Sequence, residues 1–142
     1  MIRQLRAARE SLQSWDNSIR AAAVQGPAVA SDQPSPAAVL LAIVAEAQRS
    51  LTVRLIELGA EEGGGARSDV HWQSPSVVFA ANRSTESTLS LCVNACRACG
   101  RSLGKAFREA QTVADAASAR VLYGPIRVFE KQLWVLDPLQ VY

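Results

Sequence analysis

An all-α four-helix bundle is the fold this sequence predicts, and three observations predict it. Apolar residues recur at spacings of three and four along four separate stretches, the period of an α-helix that buries one face. Two stretches without that period, residues 26–36 and 59–84, divide the periodic parts and collect prolines, glycines and serines. The chain has 142 residues, 49% of them hydrophobic, which suits one domain with a sizeable core. A chain near this length buries roughly 70% of its unfolded surface on folding.

The first helix is predicted by Ile2, Leu5, Ala8, Leu12, Trp15, Ile19 and Ala22, one unbroken apolar stripe. Gln25-Gly26-Pro27 ends it, because glycine and proline both stop helices. After a connector, Ser35-Pro36 reads as an N-cap followed by proline in the first helical position. The second helix then runs to Leu58 and closes at Gly59. Its apolar residues, from Val39 and Leu40 to Ile56 and Leu58, cover more than one face. Such a helix is either central in its own bundle or shared with a second subunit.

Residues 59–84 form the second connector, opened by Gly63-Gly64-Gly65; inside it Val77-Val78-Phe79-Ala80-Ala81 is open to a short helix or an extended piece. Thr85 or Ser87 caps a third helix that continues to Ala110 or as far as Ala117. The last helix covers residues 114–137, with Pro138 as its stop. Gly124-Pro125 lies inside it. A proline there removes a backbone hydrogen bond and crowds the preceding turn, at a cost of about 3 kcal/mol in a regular helix. A kink is therefore expected, or two helices with Pro125 starting the second. Val121, Leu122, Tyr123, Val128, Val135 and Val141 would also suit strands. The spacing of Ile126, Phe129, Leu133 and Leu136 favours helix.

The net charge of +2 is too small to imply nucleic acid by itself, so any electrostatic reading rests on how the charges cluster. The three cysteines crowd between Cys92 and Cys99, a poor disulfide framework that points to a reducing compartment. The longest strongly apolar stretch, residues 36–47, is well short of the ~20 residues that span a membrane. No apolar core of a signal peptide is visible near the start. A cytoplasmic protein is expected. The alternative is an organellar matrix, since Arg3, Arg6, Arg9 and Arg20 on an amphipathic first helix also suit a transit peptide, a reading that Glu10 and Asp16 weaken.

The string Phe129-Glu-Lys-Gln-Leu-Trp134, the pattern Leu55-Ile-Glu-Leu-Gly59 that ends the second helix, and the order and lengths of the helices together resemble the Dps-like branch of the ferritin-like superfamily. The resemblance covers residues 36–137. It implies a four-helix bundle, a homo-oligomer and possible assembly into a cage. Iron oxidation in that family needs histidines on the first helix and a carboxylate pair four residues apart on the second. Here the first helix has no histidine, and the carboxylate positions fall on Arg49 and Val53. The sole histidine, His71, sits in the second connector beside Asp69 and Trp72. Ferroxidase chemistry is therefore not expected.

Cys92, Cys96 and Cys99, at i, i+4 and i+7, share one helical face. Leu89, Leu103, Ala106 and Phe107 continue that stripe, so core packing is the simpler reading. The other is a soft-metal site for zinc or copper(I), completed across a dimer. Arg97, Arg101, Lys105 and Arg108 gather on the opposite face. They are a solvated surface or a stripe for DNA or an acidic partner; no aromatic residues interleave with the stripe, so a stacking platform for single strands is not expected. The serines around Ser68-Asp69-Val70-His71 form no nucleophile elbow, and Gly63-Gly64-Gly65 lacks the Lys-Ser/Thr of a phosphate loop. No catalytic set is expected, and no cofactor apart from the alternative zinc or copper. The expected role is structural self-association, with Leu40, Val44, Leu51 and Trp134 at subunit contacts. The alternative is a small binding module built on the cysteine or the basic stripe.

Overall fold

The structure, a computed structural model, describes residues 1–25, 35–60 and 85–141. The described residues form four helices and no strand: α1 (Ile2–Gln25), α2 (Pro36–Glu57), α3 (Thr85–Thr112) and α4 (Ala116–Val141). The all-α four-helix bundle expected from the apolar spacing is what the chain adopts. The short segment at 77–81, the glycine run at 63–65 and His71 lie outside the described residues. So does most of the first connector.

The ends of α2 follow from local chemistry. The Ser35 hydroxyl accepts from the Ala38 backbone N–H at 3.1 Å, and Pro36 takes the first helical position, where its missing N–H costs nothing. At the other end Gly59 has φ +77°, a left-handed conformation that glycine adopts without a Cβ clash. There the Ala60 N–H reaches back to the Leu55 carbonyl, and the Gly59 N–H to that of Ile56, each at 2.9 Å. These two bonds make a Schellman cap.

The same device, with a less suitable residue, separates α3 from α4. Ala114 holds φ +57°, and the Asp115 N–H bonds the Ala110 carbonyl at 2.8 Å. A left-handed alanine costs about 1–2 kcal/mol. Asp115 then caps α4, accepting from the Ser118 N–H at 3.0 Å and from its hydroxyl at 2.7 Å.

Of the two expectations for the last helix, a kink or a break at Pro125, the break does not hold, because Gly124 and Pro125 both lie within α4; nor does Pro138 stop it, since the helix continues to Val141. The proline costs are local. The buried side chains Leu122, Phe129 and Leu136 hold both sides of Pro125 to one core. The alternative reading of this segment as strands falls with it.

Side-chain pairs set the directions of the helices. Arg9 meets Thr52 and Gln13 meets Gln48, so α1 and α2 are antiparallel. Arg54 near the end of α2 meets Asp115 and Ser118 at the start of α4. Arg97 meets Asp137, and Phe107 meets Tyr123, so α3 and α4 are antiparallel. Around the bundle the order is α1, α2, α4, α3, with α2 and α3 parallel across the diagonal. One core runs its length, from Leu5, Leu12 and Ile19 through Leu40, Val44, Leu51 and Leu55 to Leu103, Leu122 and Phe129. No described helix is long and apolar enough to cross a membrane.

Candidate functional site

The cations expected to form a stripe do so, and the fold widens the stripe into a face. Arg97, Arg101, Lys105 and Arg108 are all exposed on the outer side of α3. On α4 the residues Arg120, Arg127, Lys131 and Trp134 follow at seven, four and three, one helical face. They too are exposed, because Leu122, Phe129 and Leu136 turn the opposite side of α4 into the core. The pairs Arg97–Asp137 and Phe107–Tyr123 fix the antiparallel register. It sets Arg101 level with Lys131 and Lys105 level with Arg127. Seven of the chain's fifteen cationic side chains thus share the surface of one helix pair.

Carboxylates do little to neutralise this surface. Asp137 lies 3.3 Å from Arg97, and Glu130 lies 3.9 Å from Arg127, both solvent-exposed pairs worth little. Among the described residues, Arg101, Lys105, Arg108, Arg120 and Lys131 have no carboxylate partner.

Two aromatic rings flank the cations. Tyr123 is 54% exposed; its ring sits 6.4 Å from that of Phe107, and the Arg127 guanidinium lies 5.9 Å above it. Trp134 is 81% exposed, a large apolar ring held out in solvent. Reading α3 alone finds no aromatic beside its stripe. Tyr123 and Trp134 come from the neighbouring helix, and only the packing brings them there. Their signal was present in the spacing of Arg120, Tyr123, Arg127 and Trp134, opposite the apolar set that the same helix buries.

The cysteines behave as core. Cys92, Cys96 and Cys99 are free and buried. Burial pushes the Cys92 thiol up to about 11. Burial raises Cys96 and Cys99 to about 12, with a smaller contribution from the preceding cysteine in each case. Without a metal the three groups are therefore neutral thiols at neutral pH, packed as small apolar side chains. Among the described residues no three His, Cys, Asp or Glu side chains gather to hold a metal ion.

The expected subunit contacts divide. Leu40, Val44 and Leu51 have no exposed surface, because α1, α3 and α4 of the same chain cover them. They offer nothing to a second subunit in this fold. The apolar excess of α2 is instead accounted for by its place in its own bundle, with Val53 and Ile56 left partly exposed. Trp134 alone of the four lies on the surface. Arg49 and Val53, at the positions where the ferritin-like comparison looks for carboxylates, face outward; Arg49 pairs with Glu46 at 2.6 Å.

One polar cluster was not anticipated. Arg54 of α2 donates to Ser118 at 2.8 Å, to Asp115 at 3.2 Å and to Glu57 at 3.1 Å, its side chain only 14% exposed. Hydrogen bonds from Ser118 and the adjacent Arg54 guanidinium hold the Asp115 carboxyl below its ordinary value. Every partner in the cluster is satisfied within the chain, so it fastens α2 to the α3–α4 turn.

No family model matches the chain, and neither a curated protein nor a solved structure matches it.

Proposed function

We propose that this chain is a small helical module that binds nucleic acid through the outer face of α3 and α4. The observation that carries the reading is the set of cations Arg101, Lys105, Arg108, Arg120 and Lys131, exposed together and unpaired by carboxylates, beside two exposed aromatic rings. Cations left in solvent attract a phosphate backbone by releasing its condensed counterions, and they need no cavity to do so. The modest net charge of the chain does not oppose this, because each phosphate responds to the cations beside it and not to the charge of the whole chain. Buried free thiols suit a reducing setting, and the cytoplasm is the compartment we favour.

The test is a labelled-DNA anisotropy titration over a range of salt. Binding is expected at low salt and should weaken steeply as salt rises, with a slope set by the phosphates engaged. The combined variant Arg101→Glu, Lys105→Glu, Arg108→Glu, Arg127→Glu should abolish it while keeping the helical circular dichroism. Absence of binding at low salt would sink the reading.

A second reading is a ferritin-like bundle, related to the Dps-like branch but without its iron ligands, that self-associates. The topology favours it: α2 and α3 run parallel and are joined by one long connection, as in ferritin-like bundles. Exposed Trp134 would then lie at a subunit contact. Light scattering coupled to gel filtration tests this, and a monodisperse monomer at micromolar concentration would remove it.

A further inference from the structure

We infer that the α3–α4 face takes single-stranded rather than duplex nucleic acid, with a base stacked on the Trp134 indole; this rests on the nucleic-acid reading above.

The division of the face between two helices does not suit the usual way of reading a duplex. A major groove about 12 Å wide admits one helix. Here two helices lie side by side, each about 10 Å across with its side chains, and both are packed into a bundle along their length. A bundled helix can enter a groove by its outward edge, but here the cations and the rings are divided between two helices, and one groove admits only one of them. A duplex could meet both rows together only along its phosphates, and its bases would then remain stacked out of reach of Trp134.

A single strand meets different constraints. Arg97, Arg101, Lys105 and Arg108 descend α3 in steps of about 5–6 Å, a row of charges that a flexible backbone can follow. Unpaired bases are free to turn toward the parallel row on α4, where the rings are. Tyr123 is partly committed, since Phe107 packs against it and the Arg127 guanidinium lies over its ring. Trp134, level with the Arg97 end of the row, presents the open ring. A positive track beside exposed aromatic faces is how sequence-tolerant single-strand binders work, because every base has a π-face to stack. The shared chemistry is a single-stranded polynucleotide, and DNA and RNA remain to be told apart by experiment.

The test uses the full chain at low salt with three probes: a short oligothymidylate, an oligouridylate of equal length, and a blunt duplex of equal phosphate count. Binding is followed by anisotropy of a label on the nucleic acid and by intrinsic tryptophan fluorescence. One of the single strands is expected to bind at least tenfold tighter than the duplex and to quench the fluorescence, and the tighter of the two identifies the sugar. Trp134→Ala should weaken single-strand binding by about tenfold, remove the quench and leave duplex binding unchanged. Trp134→Tyr should restore most of the affinity. With the side chain in solvent, both variants should keep the wild-type melting temperature. Equal binding of single strand and duplex, with no dependence on Trp134, would overturn this inference and leave the nucleic-acid reading standing. No binding of any probe would overturn both.

Discussion

The two halves of the bundle use arginine differently. In the α1–α2 half the guanidinium groups, that of Arg3 excepted, meet partners among the described residues of the chain itself. Arg6 donates to the Ala60 carbonyl, Arg9 to Thr52, Arg20 to Asp16, Arg49 to Glu46, and Arg54 to Ser118 and Asp115. In the α3–α4 half, Arg101, Arg108 and Arg120 extend into solvent with no carboxylate beside them among the described residues. Arg6, Arg9 and Arg54 thus reach across to another segment on one side, whereas Arg101, Arg108 and Arg120 present charge on the other. The difference lies in their neighbours. Arg54 faces an adjoining helix end that supplies an aspartate, whereas Arg101 sits on the outward side of its helix.

Substitutions should separate these roles, and the largest effect belongs to the core that both halves share. Leu40→Ala should cost about 3 kcal/mol in urea unfolding, as expected for a fully buried leucine, and should leave the native mass unchanged. A change of mass with little loss of stability would mean that Leu40 meets a second subunit after all. Arg54→Ala should follow at about 1.5 kcal/mol, since it removes the charged partner of Asp115 and the tie from α2 to the α3–α4 turn, while the bonds from Ser118 to Asp115 remain. Ala114→Gly should act in the opposite direction and stabilise by about 1 kcal/mol, because it relieves the left-handed alanine between α3 and α4. Arg101→Ala should move stability by less than about 0.5 kcal/mol while lowering DNA affinity at low salt. If Arg101→Ala destabilised the fold as much as Arg54→Ala, the contrast between the halves would fail.

Acid should sharpen the same contrast. In the folded chain Ser118 and Arg54 hold the Asp115 carboxyl below its ordinary value. Unfolding returns it to about 3.9. The unfolded state therefore binds more protons in this window, so the cluster stabilises the fold above that pH and loses its contribution as pH falls through the lower folded value. The difference in melting temperature between the wild type and Asp115→Asn should be full at neutral pH and should shrink below pH about 4. A difference that persists unchanged into strong acid would mean that the ion pair contributes nothing.

Much of this architecture was legible in the chain. The apolar stripe of Leu5, Leu12 and Ile19, the Ser35-Pro36 cap and the Gly59 stop are all local signals, and the structure repeats each of them. The cysteine stripe and the basic stripe of α3 follow from the same 3.6-residue period, one turned inward and the other outward. What was misjudged depended on more distant parts of the chain. The breadth of apolar surface on α2 suggested a partner subunit, but three helices of the same chain cover Leu40, Val44 and Leu51. Pro138 looked like a stop and Pro125 like a kink or a break, but α4 runs on past Pro138, and buried residues on both sides of Pro125 hold it in one helix against one core. The end of α3 was uncertain by several residues because its cap uses Ala114, which carries none of glycine's preference for that conformation.

The sequence by itself determined where the helices lie and which side of each is buried, because both follow from residues within a turn or two of one another. It determined the cationic row of α3 for the same reason. Only the tertiary structure decided that this row has a second row beside it. Arg127, Lys131 and Trp134 stand some thirty residues farther along the chain, and the antiparallel docking of α4 on α3 sets them alongside. The face therefore depends on helix register, and register is fixed by side-chain packing such as Phe107 on Tyr123. No single helix encodes it.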